Sequence, residues 1–332
     1  MTEELVRPRF DPELAAALAM AKDVALATIT PEMIGLLRQI LAEQQRLAET
    51  QLRENGSIDL EEHRAPGPPG APDISLLVSR PRGLRAPSAA IYVTHGGGMI
   101  AGSNRLGILE FVEWAVEFGA VVVSVEYRLA PEHPDPAPTE DCYAGLIWTA
   151  ANANALRIDS RRLIVAGASA GGGLAAAMAL MARDRIGPAL IGQMLLCPML
   201  DDRRSTPSSK MLNGEGVWDR TANLTGWTAL LGHRQGGASV SHYAAPARAV
   251  DLSNLPPAFI DVGSVEVFRD EAVNYASRIW QAGGSAELHV WPGGYHGFDS
   301  LAPTAAVSRA SRSTRTDWVR RLLESQDGLT PG

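Results

Sequence analysis

Hydrophobic and polar positions follow two regimes along the chain. Across residues 1–55 the period is helical: an apolar run at 14–21 follows Glu3, Glu4, Asp11 and Glu13 and reads as an amphipathic helix. A second helix is predicted from Thr30-Pro31-Glu32, which offers a capping hydroxyl, a proline at the first helical position and an acid in the first turn. Ile34, Leu37, Leu41 and Ala48 then share one face. Proline and glycine at residues 65–70 break the pattern. Beyond it, strands are predicted at 74–78, 90–94, 121–127, 163–166, 193–197, 258–262 and 286–290. Helices are predicted between them at about 104–118, 138–154, 170–184, 268–282 and 313–325. Strands alternating with helices imply a mostly parallel sheet covered on both faces, with chemistry at the carboxyl ends of the strands. Residues 202–250 interrupt the alternation with a polar, turn-rich stretch and a helical patch near 221–231, and read as an insertion lying over the sheet beside the N-terminal helices.

Composition narrows the class. The chain has 332 residues, 45% hydrophobic and 20% charged, which excludes a disordered or fibrous protein. Thirty basic against 37 acidic residues give a net charge of -7, unlike a nucleic-acid binder. Two cysteines, Cys142 and Cys197, are too few for a disulfide framework and read as free, buried thiols in a reducing compartment. The acidic start does not suit a secretory signal. Residues 163–182 carry no charge, yet the glycines around Ser169 make them a strand, a turn and a helix rather than a membrane span. A soluble, cytoplasmic protein is expected.

The candidate chemistry centres on Gly167-Ala168-Ser169-Ala170-Gly171, between a predicted strand and a predicted helix. In that context G-x-S-x-G exposes the serine on a strained turn, with the helix amides and dipole facing a developing anion. A phosphate loop is excluded, since no lysine follows the glycines and Ser169 stands where a dinucleotide fingerprint needs glycine. His95-Gly96-Gly97-Gly98 ends an earlier strand, and its backbone can aim two amides at one oxyanion. A serine nucleophile needs a base oriented by an acid. Of seven histidines, His296 alone sits in a small-residue loop after a late strand; His289 reads as structural, and His95 as locally hydrogen-bonded. Glu266 follows the 258–262 strand in a short loop, whereas Asp270 and Glu271 read as helix-dipole partners. The chain order serine, acid, histidine is that of α/β-hydrolases.

These motifs, with Tyr127-Arg128-Leu129-Ala130-Pro131-Glu132, Leu255-Pro256-Pro257 and Tyr295-His296-Gly297-Phe298, resemble the hormone-sensitive-lipase-like (family IV) carboxylesterases over residues 88–300. The resemblance implies an α/β-hydrolase fold, with a catalytic domain at 56–201 and 251–332. A cap would come from 1–55 and 202–250. It implies Ser169, Glu266 and His296 as catalytic residues, with oxyanion amides from Gly97, Gly98 and Ala170. Three departures stand out: Ala168 where the family often has aspartate, Met99 where an aromatic usually follows the glycines, and Glu266 where aspartate is commoner. Met99 and Trp218 are candidates for the substrate pocket, although tryptophan at 218 and 227 also suits cap core.

The expected activity is hydrolysis of short- to medium-chain esters without metal or organic cofactor. The partner is then a small-molecule ester, not nucleic acid or a membrane. Lactone opening and acyl transfer use the same triad and stay open. A non-catalytic ligand binder, as among the plant gibberellin receptors, is disfavoured because all three triad residues are present. A strand edge near the C-terminus leaves a homodimer as an option.

Overall fold

The computed structural model describes residues 7–21, 25–54, 56–84 and 87–327, so Glu3 and Glu4 fall outside the described residues. Its strands are β1 (Ile58–Ala65), β2 (Ile74–Pro81), β3 (Ser88–Thr94), β4 (Val121–Glu126), β5 (Ile158–Ala168), β6 (Leu190–Leu196), β7 (Ala258–Gly263) and β8 (Ala286–Trp291). They form one sheet in the order β1-β2-β4-β3-β5-β6-β7-β8. From β4 to β8 neighbouring strands run parallel, while β1 and β2 are antiparallel additions at one edge. The central strands are buried on both faces, so β3 and β4 read as near-continuous apolar runs.

Helices α1 (Pro12–Met20), α2 (Ile34–Glu54), α3 (Ile108–Phe118), α4 (Ala137–Ala151), α5 (Ala153–Leu156) and α6 (Ala170–Asp184) precede β6. Helices α7 (Ser208–Met211), α8 (Arg220–Leu231), α9 (Arg269–Gln281), α10 (Phe298–Leu301) and α11 (Ala306–Asp327) follow it. The sheet is mostly parallel and covered on both faces, as the alternation predicts. Residues 163–182 are the end of β5, a turn and most of α6, buried throughout the helix. Among the described residues no helix is long and apolar enough to cross a membrane.

Four local expectations need correction. Residues 1–55 are not helical throughout, because residues 25–30 belong to no helix and precede a 3-10 turn at Pro31–Met33 that leads into α2. Thr30 makes no side-chain capping bond to that turn. Residues 104–107 are turns, and α3 begins only after Gly107. Strand β1 was not anticipated, because its Ile-Asp-Leu-Glu-Glu-His-Arg-Ala sequence is largely charged and solvent-facing, as suits an edge strand.

Segments 25–30 and 212–231 lie side by side. The Asp219 amide donates to the Ala27 carbonyl at 2.9 Å, and Thr28 Oγ1 donates to the Asp219 carboxylate at 2.6 Å. Asp219 also caps α8 by accepting from the amides of Thr221 and Ala222. Residues 244–252 instead pack into the core beside α6, and Arg278 of α9 donates to the Ala247 and Ala249 carbonyls.

One buried cation ties the C-terminal half together. Arg315 of α11 is 3% exposed and donates to Asp261 of β7 at 2.8 Å and Asp299 of α10 at 2.6 Å, with Glu110 of α3 at 3.2 Å. Removing it strands carboxylates in a low-dielectric interior, which costs about 3–5 kcal/mol. Arg315→Ala is therefore expected to lose about that much in urea unfolding, while truncation of the exposed Arg161 changes it by less than ~1 kcal/mol.

Candidate active site

The site begins where β5 meets α6. Ser169 has φ 61° and ψ -123°, a strained conformation for a residue with a side chain. Its amide donates to Leu196 O at 2.8 Å, and its carbonyl accepts from the amides of Met199 at 2.9 Å and Gly173 at 3.1 Å. These bonds hold the turn on both sides. The glycine at 171 is sterically required, since a Cβ there would lie 2.0 Å from the Thr94 carbonyl oxygen. Thr94 completes the junction: its hydroxyl donates to Gly171 O at 2.7 Å. The G-x-S-x-G spacing thus lets β3 and the start of α6 touch beneath an outward-facing hydroxyl.

The loop after β3 lies against this turn. Gly97 and Gly98 have φ of 104° and 64°, and a Cβ on Gly98 would lie 2.5 Å from the Trp218 ring. Among the described residues, no hydrogen bond occupies the amides of Gly97, Gly98 or Ala170. His95 stacks on Tyr127 with ring centroids 4.0 Å apart, and its Nδ1–H donates to Gly96 O at 2.8 Å. Burial pushes its pKa down to about 4, so it stays neutral. Arg38 of α2 fastens the loop from above, donating to Ile100 O at 2.8 Å and Ala130 O at 3.0 Å while pairing with Glu132 at 2.7 Å.

Two loops from β7 and β8 supply the remaining groups. His296 Nε2 lies 2.9 Å from Ser169 Oγ, and Nδ1 lies 3.1 Å from Glu266 Oε1. Because the carboxylate only accepts, Nδ1 carries a proton, and in the neutral ring Nε2 faces the hydroxyl as an acceptor. Glu266 is fully buried, and its other oxygen accepts from the Gly263 amide at 3.0 Å. The loops are joined by Val265 N to Gly294 O and Ser264 N to Trp291 O, at 2.9 and 2.8 Å. The structure therefore brings Ser169, His296 and Glu266 into one hydrogen-bonded chain, and the longer glutamate reaches the imidazole.

A family model described as the alpha/beta hydrolase fold matches residues 91–300. The chain belongs to the alpha/beta hydrolase family. Its relatives place this hydrolase in the hormone-sensitive-lipase-like branch. It is 36% identical to carboxylesterase NlhH of Mycobacterium tuberculosis over 333 residues, covering 98% of this chain and 100% of that one. Among solved structures, a bacterial heroin esterase matches with a TM-score of 0.84 and 39% identity, covering 95% of this chain and 98% of that one. Esterase LipW from Mycobacterium marinum matches with a TM-score of 0.84 and 33% identity, covering 96% and 98%.

Above the hydrolase's serine lies a cavity of about 450 Å³, within the usual range for small ligands. Leu26, Ile29, Leu37 and Leu41 line it from the N-terminal segment, and Val217 and Trp218 from the insertion. Of the predicted apolar stripe of α2, Leu37 and Leu41 thus face the cavity, whereas Ile34 packs into the core and Ala48 does not line it. Met99 does not line it: the side chain is 1% exposed beneath the glycine loop, within the core. A positive φ of 61° points the Met99 residue inward, which removes it from the pocket candidates. Trp227 is fully buried in core, away from the cavity lining. Asp270 and Glu271 do more than complement a dipole, since Asp270 accepts from Ser208 N and Glu271 from Leu200 N.

Two residues escaped notice in the sequence. Cys197 lines the cavity beside His296. Its position at the carboxyl end of β6 was the available signal. Arg38 had none, being one of several arginines on a long exposed helix.

Burial disfavours a charged imidazole, but Cys197 and Glu266 outweigh it and hold His296 well above the ordinary histidine value. Burial also pushes the Cys197 thiol up, so at neutral pH it is protonated. NMR titration of the His296 ring should show a midpoint above ~6.5. Glu266→Gln should move that midpoint down, because the anion that favours the charged ring is gone. A midpoint unchanged by that substitution would show that Glu266 does not set the imidazole's charge.

Proposed function

We propose that this hydrolase cleaves carboxylic esters through an acyl-enzyme on Ser169. The chain is a serine carboxylesterase by family, and the observation that supports the residue assignment is the continuous Ser169–His296–Glu266 hydrogen-bonded chain at the floor of an apolar cavity. In this reading Ser169 Oγ transfers its proton to His296 Nε2 as it attacks the ester carbonyl carbon. The amides of Gly97, Gly98 and Ala170 donate hydrogen bonds to the negatively charged carbonyl oxygen, supported by the α6 N-terminus. Glu266 keeps the proton on Nδ1 and stabilises the imidazolium. The imidazolium then protonates the departing alkoxide, and the C–O bond breaks. Water, deprotonated by the same nitrogen, attacks the acyl-enzyme; the acyl–Oγ bond breaks as the imidazolium returns its proton to Ser169 Oγ, and the acid leaves.

The substrates we assign are small esters with short- to medium-length acyl groups. The largely apolar wall supports this, with no lysine or arginine among the described lining residues. We infer that the N-terminal segment and part of 202–250 act together as the cap, since each contributes one side of that wall.

Ser169→Ala should lower p-nitrophenyl butyrate turnover on the order of 10⁴–10⁶-fold, with the fold retained by circular dichroism. A fluorophosphonate probe should label Ser169 alone; wild-type-like turnover by the alanine variant would refute the assignment. Hydrolysis requires a neutral base, so kcat/KM should fall as pH drops through the raised His296 pKa. Leu41→Trp narrows the cavity, and should lower kcat/KM for decanoate esters about tenfold or more while sparing acetate, read from a chain-length series.

A further inference from the structure

The proposed reaction does not use Cys197, yet this side chain stands beside two groups that it does use. The Cys197 sulfur, a carboxylate oxygen of Glu266 and a ring nitrogen of His296 lie within 4.8 Å of one another. His296 and Glu266 are buried, and Cys197 is partly open to the cavity. The positions are well fixed. Cys197 N donates to Asp261 O at 2.7 Å on a residue with φ 37°, and Glu266 is anchored through the Gly263 amide.

We propose that Cys197, Glu266 and His296 form an inhibitory site for a thiophilic divalent cation, zinc being the type. Zinc–donor bonds of about 2.0–2.3 Å place tetrahedral sulfur, nitrogen and oxygen donors roughly 3.3–3.6 Å apart, so the cluster needs to contract by about 1.3 Å at most. Charge also balances: one thiolate and one carboxylate neutralise one dication, which a buried site requires. The donor set of sulfur, nitrogen and oxygen suits zinc better than magnesium or calcium. Three protein donors leave a fourth position, which opens to the cavity and takes water.

Binding at Nδ1 explains the inhibition. Nε2 already faces Ser169, whereas Nδ1 faces Glu266. The metal accepts the Nδ1 lone pair and an oxygen of Glu266, and Cys197 releases its thiol proton to solvent. The imidazole's remaining proton then resides on Nε2, through exchange with water. The ring now donates towards Ser169 Oγ instead of accepting its proton, so the serine cannot be activated. Inhibition rests on the proposed role of His296 as base, whereas metal binding does not.

Full-length enzyme titrated with cadmium should develop a thiolate-to-metal charge-transfer band saturating at one cadmium per chain, and zinc should displace it. Zinc should inhibit p-nitrophenyl butyrate hydrolysis over the same range, and a chelator should restore it. Cys197→Ser should lose the band and raise the zinc inhibition constant, relative to its own uninhibited rate, by at least the ~10–100-fold that loss of a supporting group costs. Cys142→Ala, altering the other cysteine, buried in α4, should keep the band. In unmutated enzyme, zinc should protect Cys197 from maleimide, read by peptide mass, which covers the case of a serine variant that does not fold. No band in the wild type, no protection, or equal zinc inhibition of Cys197→Ser would overturn the site. Ser169→Ala separates the two readings: loss of hydrolysis with the band kept supports both. Retained hydrolysis sinks the proposed reaction and leaves binding standing.

Discussion

The contact between the end of β3 and the turn after β5 is the constraint on which the active centre depends. Parallel pairing brings Thr94 beside Gly167, and absent side chains at 167 and 171 let the backbones close to van der Waals distance. The strain at Ser169 is then carried by its neighbours. Leu196, Met199 and Gly173 each hold the turn through a backbone bond, at a position where an isolated peptide would relax. One junction therefore fixes the hydroxyl, the adjacent glycine loop and the start of α6 relative to each other. Their geometry does not depend on how long flexible side chains settle.

Buried acids are handled in three ways around this junction. Glu266 is matched by an imidazole and one amide, and Glu271 by the amides of Leu200 and Asp201, although burial still pushes its pKa well up. Asp261 is matched by the guanidinium of Arg315. These choices suit different tasks. A partner able to gain and lose a proton sits where protons move, whereas fixed donors sit where the loops need only to be held.

Much of this was legible in the sequence because strands buried on both faces leave long apolar runs, and because glycine at fixed offsets around Ser169 has few other uses. The same reasoning found the histidine loop, since Gly293, Gly294 and Gly297 mark a turn after β8. It failed where the determining contact is remote. Strand β1 is largely polar because it lies at an edge, and nothing in its own residues shows that β2 pairs with it. Met99 was judged by what usually occupies its place, but a left-handed backbone turns it into the core. Cys197 looked like filler, since proximity to His296 arises from two loops 99 residues apart in sequence.

Arg38 joins two things that are separate in the chain. Its helix contributes Leu37 and Leu41 to the roof of the cavity, and its guanidinium grips the carbonyls of Ile100 and Ala130 that shape the glycine loop. The roof of the cavity and the glycine loop are consequently held by the same side chain. Contacts that a substrate makes with Leu37 and Leu41 therefore fall on the same helix that steadies the backbone at Ile100, so the roof and the glycine loop share one mechanical support.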